Sequence, residues 1–244
     1  MTAPEVAYAV CVLGLAYFIR GISGFGSGLM AVPLLALVFP LSLVVPTVLL
    51  LDFTASLVLG GVTFKQVRWD EVKPLVPLGM LGVVLGTTLL VSLPKEPLLI
   101  GLGVFIMAFA VRSLFNLNGE DLVSRKWAGP ASFTGGTVGG MFGTSGPPYV
   151  IYLQHRLKDK GELRATLSGV FFLEGVFRVG SFVAAGLLMQ ASVWMGYALG
   201  VPLVLVGLYA GSHFHTGLSQ AQMTRVIGAL LLLSSLSVFV KAFT

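Results

Sequence analysis

The stretch GISGFGSGLMAVPLL, residues 21–35, sets four glycines and two serines inside a region otherwise built from apolar side chains. A second stretch, GTVGGMFGTSGPPYVIYL, residues 136–153, repeats the pattern. Gly21 aligns with Gly136, Gly24 with Gly139, Gly28 with Gly143 and Pro33 with Pro148. Further on, Pro77, Gly82 and Gly86 align with Pro202, Gly207 and Gly211. Glycine is abundant here, so single matches mean little. Two groups in the same order point to an internal duplication.

The surroundings are those of a membrane protein. Of 244 residues, 56% are hydrophobic and 10% charged, and the mean hydropathy is +0.94. A soluble domain carries roughly a quarter charged residues, and one of this size could not hide so much apolar surface. A transmembrane helix needs roughly 20 mostly apolar residues. Segments 43–63, 74–93, 97–115, 165–188, 193–211 and 223–242 meet that length. Regions 4–39 and 127–155 are too long for one span, and the glycine-rich breaks leave pieces expected to be short for two.

Charge orders these segments. Lys65, Arg68 and Lys73 form one basic cluster, and Arg125 and Lys126 a second. Arg156, Lys158, Lys160 and Arg164 form a third. If residues 127–155 enter the membrane and return, all three clusters share one face, which the positive-inside rule makes cytoplasmic. The expected fold is therefore an all-α polytopic membrane protein of two inverted repeats. Each repeat has three full spans and a glycine-rich re-entrant helical hairpin. Residues 1–115 form the first repeat, 116–126 a cytoplasmic linker (NLNGEDLVSRK) and 127–244 the second, with both termini outside. The N-terminus lacks the basic region and cleavage pattern of a signal peptide, so the first apolar segment is expected to stay. Cys11, the one cysteine, cannot form an intrachain disulfide. The net charge of +5 does not point to nucleic acid, because the basic residues sit in short loops.

Irregular backbone at membrane depth is tolerated where it lines a cavity or is packed in protein. Inverted-repeat transporters use broken helices that meet near the midplane and bind cargo with their ends. Here the second helix of each pair is expected to begin near Ser27 or Gly28, and near Gly146 or Pro147. Helix N-termini offer free N–H groups and partial positive charge, which suit an anion. The candidate anion site comprises Arg20, Gly21, Ser23, Gly24, Gly26, Ser27 and Gly28 with Gly139, Gly143, Thr144, Ser145, Gly146 and Arg178. Gly79, Gly82 and Gly86, at helical spacing, read instead as helix packing.

Ionisable residues within spans are functional suspects by default. Asp52 and Glu174 lie in equivalent spans of the two halves and are the candidates for carrying a coupling proton. Glu174 and Arg178 share a helix face and can pair; a buried pair that locks two helices is the alternative. Arg20 could also be a snorkelling residue at a helix end. Trp69, Trp127 and Trp194 lie near segment ends, as an interfacial belt requires. The His213/His215 pair has no carboxylate or cysteine cluster beside it, so no metal site, no cofactor and no catalytic residue is expected. No histidine lies mid-span and no Ser/His or paired-Asp motif appears, which argues against an intramembrane enzyme.

The motifs RGISGFGSGLMAVPLLALVFP, residues 20–40, and FGTSGPPYVIYL followed by LRATL, residues 142–153 and 163–167, resemble the paired signatures of the TauE/SafE family of sulfite and organosulfonate exporters. VRWDEVKPLVPLGMLGVVLGTTL, residues 67–89, is similar to that family's central loop and following helix. The resemblance implies a secondary transporter in a bacterial cytoplasmic membrane. Its cargo would be a small anion such as sulfite, sulfoacetate or a related organosulfonate. Export is the expected direction; import of a sulfur-containing or carboxylate anion, and an anion channel, are the alternatives. The partners expected are that anion, the lipid bilayer and a coupling proton or sodium ion, with no nucleic acid; a homodimer is left open.

Overall fold

The computed structural model describes residues 2–115, 123–213, 228–229, 231–232 and 235–238. Among them every regular element is a helix. Helix α1 covers Ala3–Ser23, α2 Ser27–Ala36 and α3 Leu41–Thr63. A short α4, Trp69–Val72, leads through a 3₁₀ turn into α5, Val76–Ser92. Then come α6, Lys95–Leu114; α7, Ala128–Phe142; α8, Gly146–Arg156; α9, Lys160–Ala184; and α10, Ala191–His213.

Helices long and apolar enough to cross a membrane cover Ala3–Ser23, Leu41–Leu59, Trp69–Ser92, Lys95–Leu114, Gly161–Ala184 and Ala191–His213. Five of these coincide with spans read from the sequence. The predicted span 223–242 falls largely outside the described residues, as does most of the 116–126 linker. The first piece of region 4–39 is longer than expected. Gly14 and Gly21 do not take positive φ, and Gly24 is the first that does, so α1 continues for 21 residues, about 32 Å at 1.5 Å per residue. The helices of the second break are shorter. With 15 and 11 residues, α7 and α8 measure about 22 and 16 Å, less than the roughly 30 Å hydrocarbon core.

Glycine seams bring the helices together. Gly82 and Gly86 of α5 face the backbone of α7 at Phe133, Gly136 and Thr137, where an added Cβ would collide. On the other side α1 packs along α10. A Cβ on Gly21 would lie 2.7 Å from the Leu208 carbonyl and 2.9 Å from Gly211 Cα. Small residues let backbones approach in this way and supply contact where lipid removes the hydrophobic drive. Between these seams α3 packs on α9, with Phe53 and Phe172 stacked at 5.6 Å.

The core runs through α1, α2, α3 and α6, with Tyr17, Leu49, Leu51 and Leu102 fully enclosed. Leu81, Leu199 and Val206 point outward, each about 60% exposed or more. An apolar exterior around an apolar core is what lipid as solvent requires. Trp127 and Trp194 are exposed near helix ends.

The three basic clusters meet at one end of the molecule. Arg68 binds Asp70 and Glu162, while Arg125 and Arg156 both bind Glu71, which is buried. Arg156 at the end of α8 also donates to the Val123 carbonyl just ahead of α7, at 3.2 Å. This bond brings the end of α8 close to the start of α7. Hydrogen bonds from Arg68 to Asp70 and Glu162 hold its guanidinium charged more firmly than that of a free arginine.

Candidate functional site

Both breaks are built on glycines with positive φ. At the end of α1, Gly24 has φ 84° and its N–H donates to the Arg20 carbonyl at 2.7 Å. Gly26, φ 95°, then turns the chain into α2. At the end of α7, Gly143 has φ 71° and donates to the Gly139 carbonyl at 2.8 Å. This left-handed conformation strains any residue with a Cβ. It ends each helix and frees the next to start after two more residues. Pro147 then lies in the first turn of α8, where its missing N–H and fixed φ are suited.

The two breaks touch. A Cβ on Gly28 would stand 2.8 Å from the Gly143 carbonyl oxygen and 3.2 Å from Asp52 Oδ2. Around this contact lies a cavity of about 30 Å³. A single water needs roughly 10–15 Å³ by the same measure, so the space suits a ligand of few heavy atoms. The first residues of α2 and α8 line it, with Arg20, Asp52, Ser56 and Arg178 at its sides and Phe25, Phe53 and Phe171 as its apolar wall.

The charges are paired unequally. Arg20 Nη1 lies 2.6 Å from Asp52 Oδ1 and donates to Ser27 Oγ at 3.0 Å, while its Nη2 donates to Ser56 Oγ at 2.7 Å. Asp52 Oδ1 also accepts from Tyr17 at 2.8 Å and Ser27 at 2.7 Å. Arg178 is looser. Its Nη1 donates to the Gly139 carbonyl at 2.9 Å and is 3.9 Å from Glu174 Oε1. Arg20 Nε, Arg178 Nε and Thr144 Oγ1 are buried and have no hydrogen-bond partner among the described residues. Buried polar groups are nearly always satisfied, so three idle groups on residues lining one cavity make it the candidate ligand site. Two guanidinium groups and two helix N-termini are groups that suit an anion.

Of the residues singled out from sequence, the structure brings Arg20, Gly26, Ser27, Gly28, Gly143, Thr144, Ser145, Gly146, Arg178 and Asp52 to this cavity. Gly21 lies in the α1–α10 seam. Ser23 Oγ sits 2.8 and 2.7 Å from the Ile19 and Phe25 carbonyls, tightening the turn. Gly24 packs on the Arg164 side chain, and Gly139 makes room for Glu174 and Arg178. Glu174 does not line this cavity; it lines a second one against α5, with Oε1 beside Gly139 and Ser145 of the second break. Tyr17 and Ser56 escape the sequence reading, although each lies one turn from a charged residue on its own helix. That helical spacing was the available signal.

A family model described as "Sulfite exporter TauE/SafE" matches residues 9–238. A "Probable inner membrane transporter protein TsaS" of Comamonas testosteroni is 29% identical over 191 residues, 78% of this chain and 80% of the relative. A "Probable sulfite/organosulfonate exporter TauE" of Cupriavidus necator is 33% identical over 113 residues, 43% of this chain and 44% of the relative. No solved structure matches the chain significantly.

Proposed function

Since the chain belongs to the sulfite exporter TauE/SafE family, a family of transporters rather than enzymes, we propose that it is a secondary active carrier. It moves sulfite or a similarly small organosulfonate out across the bacterial cytoplasmic membrane. One relative's name, an inner membrane transporter protein, supports that location. The cavity between the two breaks carries the reading. It is lined by two buried arginines and a threonine whose idle polar atoms await an acceptor or donor. Sulfite has four heavy atoms and suits about 30 Å³ better than a longer sulfonate does.

Residues 1–115 and 127–244 form two inverted repeats in this reading. Their matched packing supports it: α1 lies on α10 as α7 lies on α5, α3 on α10 as α9 on α5, and α3 on α9 between them. The α7–α8 hairpin is re-entrant, and the end that gathers the basic clusters is cytoplasmic. Rocking of one half against the other would expose the cavity alternately.

The test is counterflow in proteoliposomes. Labelled sulfite outside should exchange saturably for unlabelled sulfite inside, with sulfoacetate and taurine as weaker competitors. Non-saturable flux would make the protein a channel. No movement of any of the three would remove the cargo assignment.

A further inference from the structure

Resting on that transport reading, we infer that Glu174 carries one proton alongside the anion, and takes it from a second cavity separate from the cargo chamber. This cavity, about 20 Å³, lies between α5 and α9 and is walled by Val76, Met80, Val83, Val170, Leu173 and Phe177. Among the described residues Glu174 is the one ionisable residue that lines it. Arg178, one turn along the same helix, lines the cargo cavity. Helix α9 thus sets Glu174 against one space and Arg178 against the other, with Glu174 Oε1 beside Gly139 and Ser145 where the two spaces adjoin.

Glu174 is 7% exposed, and neither carboxylate oxygen has a hydrogen-bond partner among the described residues. Asp52 differs: its Oδ1 is committed to Arg20, Tyr17 and Ser27. A metal cation in the second cavity would meet apolar walls and a lone carboxylate. A proton needs only the carboxylate, and protonation removes the cost of an unsatisfied buried charge.

The surrounding groups leave Glu174 this role. Arg178 Nη1 is its nearest cation at 3.9 Å. Tyr149 and Ser145 bring hydroxyls beside it. Helices α5 and α7 carry no ionisable side chain. On α4, Asp70 and Glu71 are engaged by Arg68, Arg125 and Arg156, and across the cargo cavity Asp52 is paired with Arg20.

Coupling follows from the shared arginine. An ionised Glu174 competes with the anion for Arg178. A proton added to Glu174, with only its O–H bond formed, releases that charge to the anion. Each ligand therefore favours the other, and the effect is reciprocal. A proton and a monoanion together leave the net charge of the site unchanged, so the loaded carrier crosses without moving net charge, and the anion leaves the cell where its outward gradient exceeds the inward proton gradient.

The experiment uses proteoliposomes holding a trapped pH dye, with labelled sulfite outside. An acid-outside gradient should accelerate accumulation and the dye should acidify with it, while an imposed potassium diffusion potential should change neither. Glu174→Gln should lose the response to the pH gradient and silence the dye. Val76→Phe narrows the second cavity. It should slow net accumulation several-fold while sulfite–sulfite exchange, which needs no proton release, keeps the wild-type rate. The inference is overturned if wild-type protein moves sulfite with a silent dye, if a sodium gradient drives it instead, or if either variant accumulates as wild type does. Absence of sulfite exchange by wild-type protein would overturn the transport reading itself.

Discussion

Arg20 Nη1 and Asp52 Oδ1 stand 2.6 Å apart where α1 meets α3, with side chains only 5% and 12% exposed. Removing one partner of a buried pair leaves an uncompensated charge and costs about 3–5 kcal/mol, whereas an apolar replacement of both is often neutral. Asp52→Leu should therefore lower the unfolding midpoint in detergent sharply, and Arg20→Met combined with Asp52→Leu should recover most of the loss. Both proteins should fail to transport, because the cavity loses a guanidinium group or its anchor. Equal stability of single and double variants would show that the pair does not hold α1 to α3.

The glycines of the breaks should separate by cause. Gly26 has φ 95° and open space around it, so Gly26→Ala meets backbone strain alone, roughly 1–2 kcal/mol. Gly28 has an ordinary φ but faces the Gly143 carbonyl, with 2.8 Å left for a Cβ. Gly28→Leu should insert normally yet abolish sulfite exchange, since the side chain pushes the breaks apart and fills the cavity. Gly143→Leu meets backbone strain at φ 71°, with only ordinary contacts around its Cβ, and should also be inactive because it distorts the second break. Wild-type exchange by Gly28→Leu and Gly143→Leu together would rule out a cargo site between the breaks.

The seam glycines should fail differently. At Gly82 and Gly86 a side chain would run into the α7 backbone, and overpacking of this kind costs about 1–3 kcal/mol or more. Gly82→Leu and Gly86→Leu should reduce the yield of monodisperse protein in size-exclusion chromatography. Gly14 has nothing near it, so Gly14→Leu should behave as wild type.

Much of this architecture is visible in the sequence because it depends on local rules. Helix breaks announce themselves through clustered glycine, and Pro147 marks a helix start. Length and hydropathy mark the spans. What escapes is pairing between residues distant in the chain. Arg20 and Asp52 are separated by 32 positions and join only once α2 folds back between their helices. Nothing local distinguishes Gly21, which packs on α10, from Gly28, which faces the cavity. Ser23 looks like a ligand donor until its hydroxyl is seen turned to its own backbone. Glu174 and Arg178 share a helix face by their spacing and can pair, yet they stand at 3.9 Å and line different cavities.

The basic end of the molecule offers a contrast between buried and exposed ion pairs. Glu71, 3% exposed, accepts from Arg156 at 2.7 and 3.2 Å, from Arg125 at 3.1 Å and from Tyr152 at 3.2 Å. It ties α4 to the start of α7 and the end of α8. Glu71→Gln removes the charge and turns an N–H group towards two arginines. Hydrogen bonds to charged groups are worth about 1.5–3 kcal/mol, so the unfolding midpoint should fall clearly, and by the same amount at low and high salt. Arg68, Asp70 and Glu162 are 39–45% exposed. Arg68→Ala should move the midpoint far less than Glu71→Gln does, and high salt should erase that small shift because exposed charges are screened. A salt-sensitive Glu71→Gln would mean that this carboxylate is reached by solvent and does not seal the α7–α8 hairpin to α4.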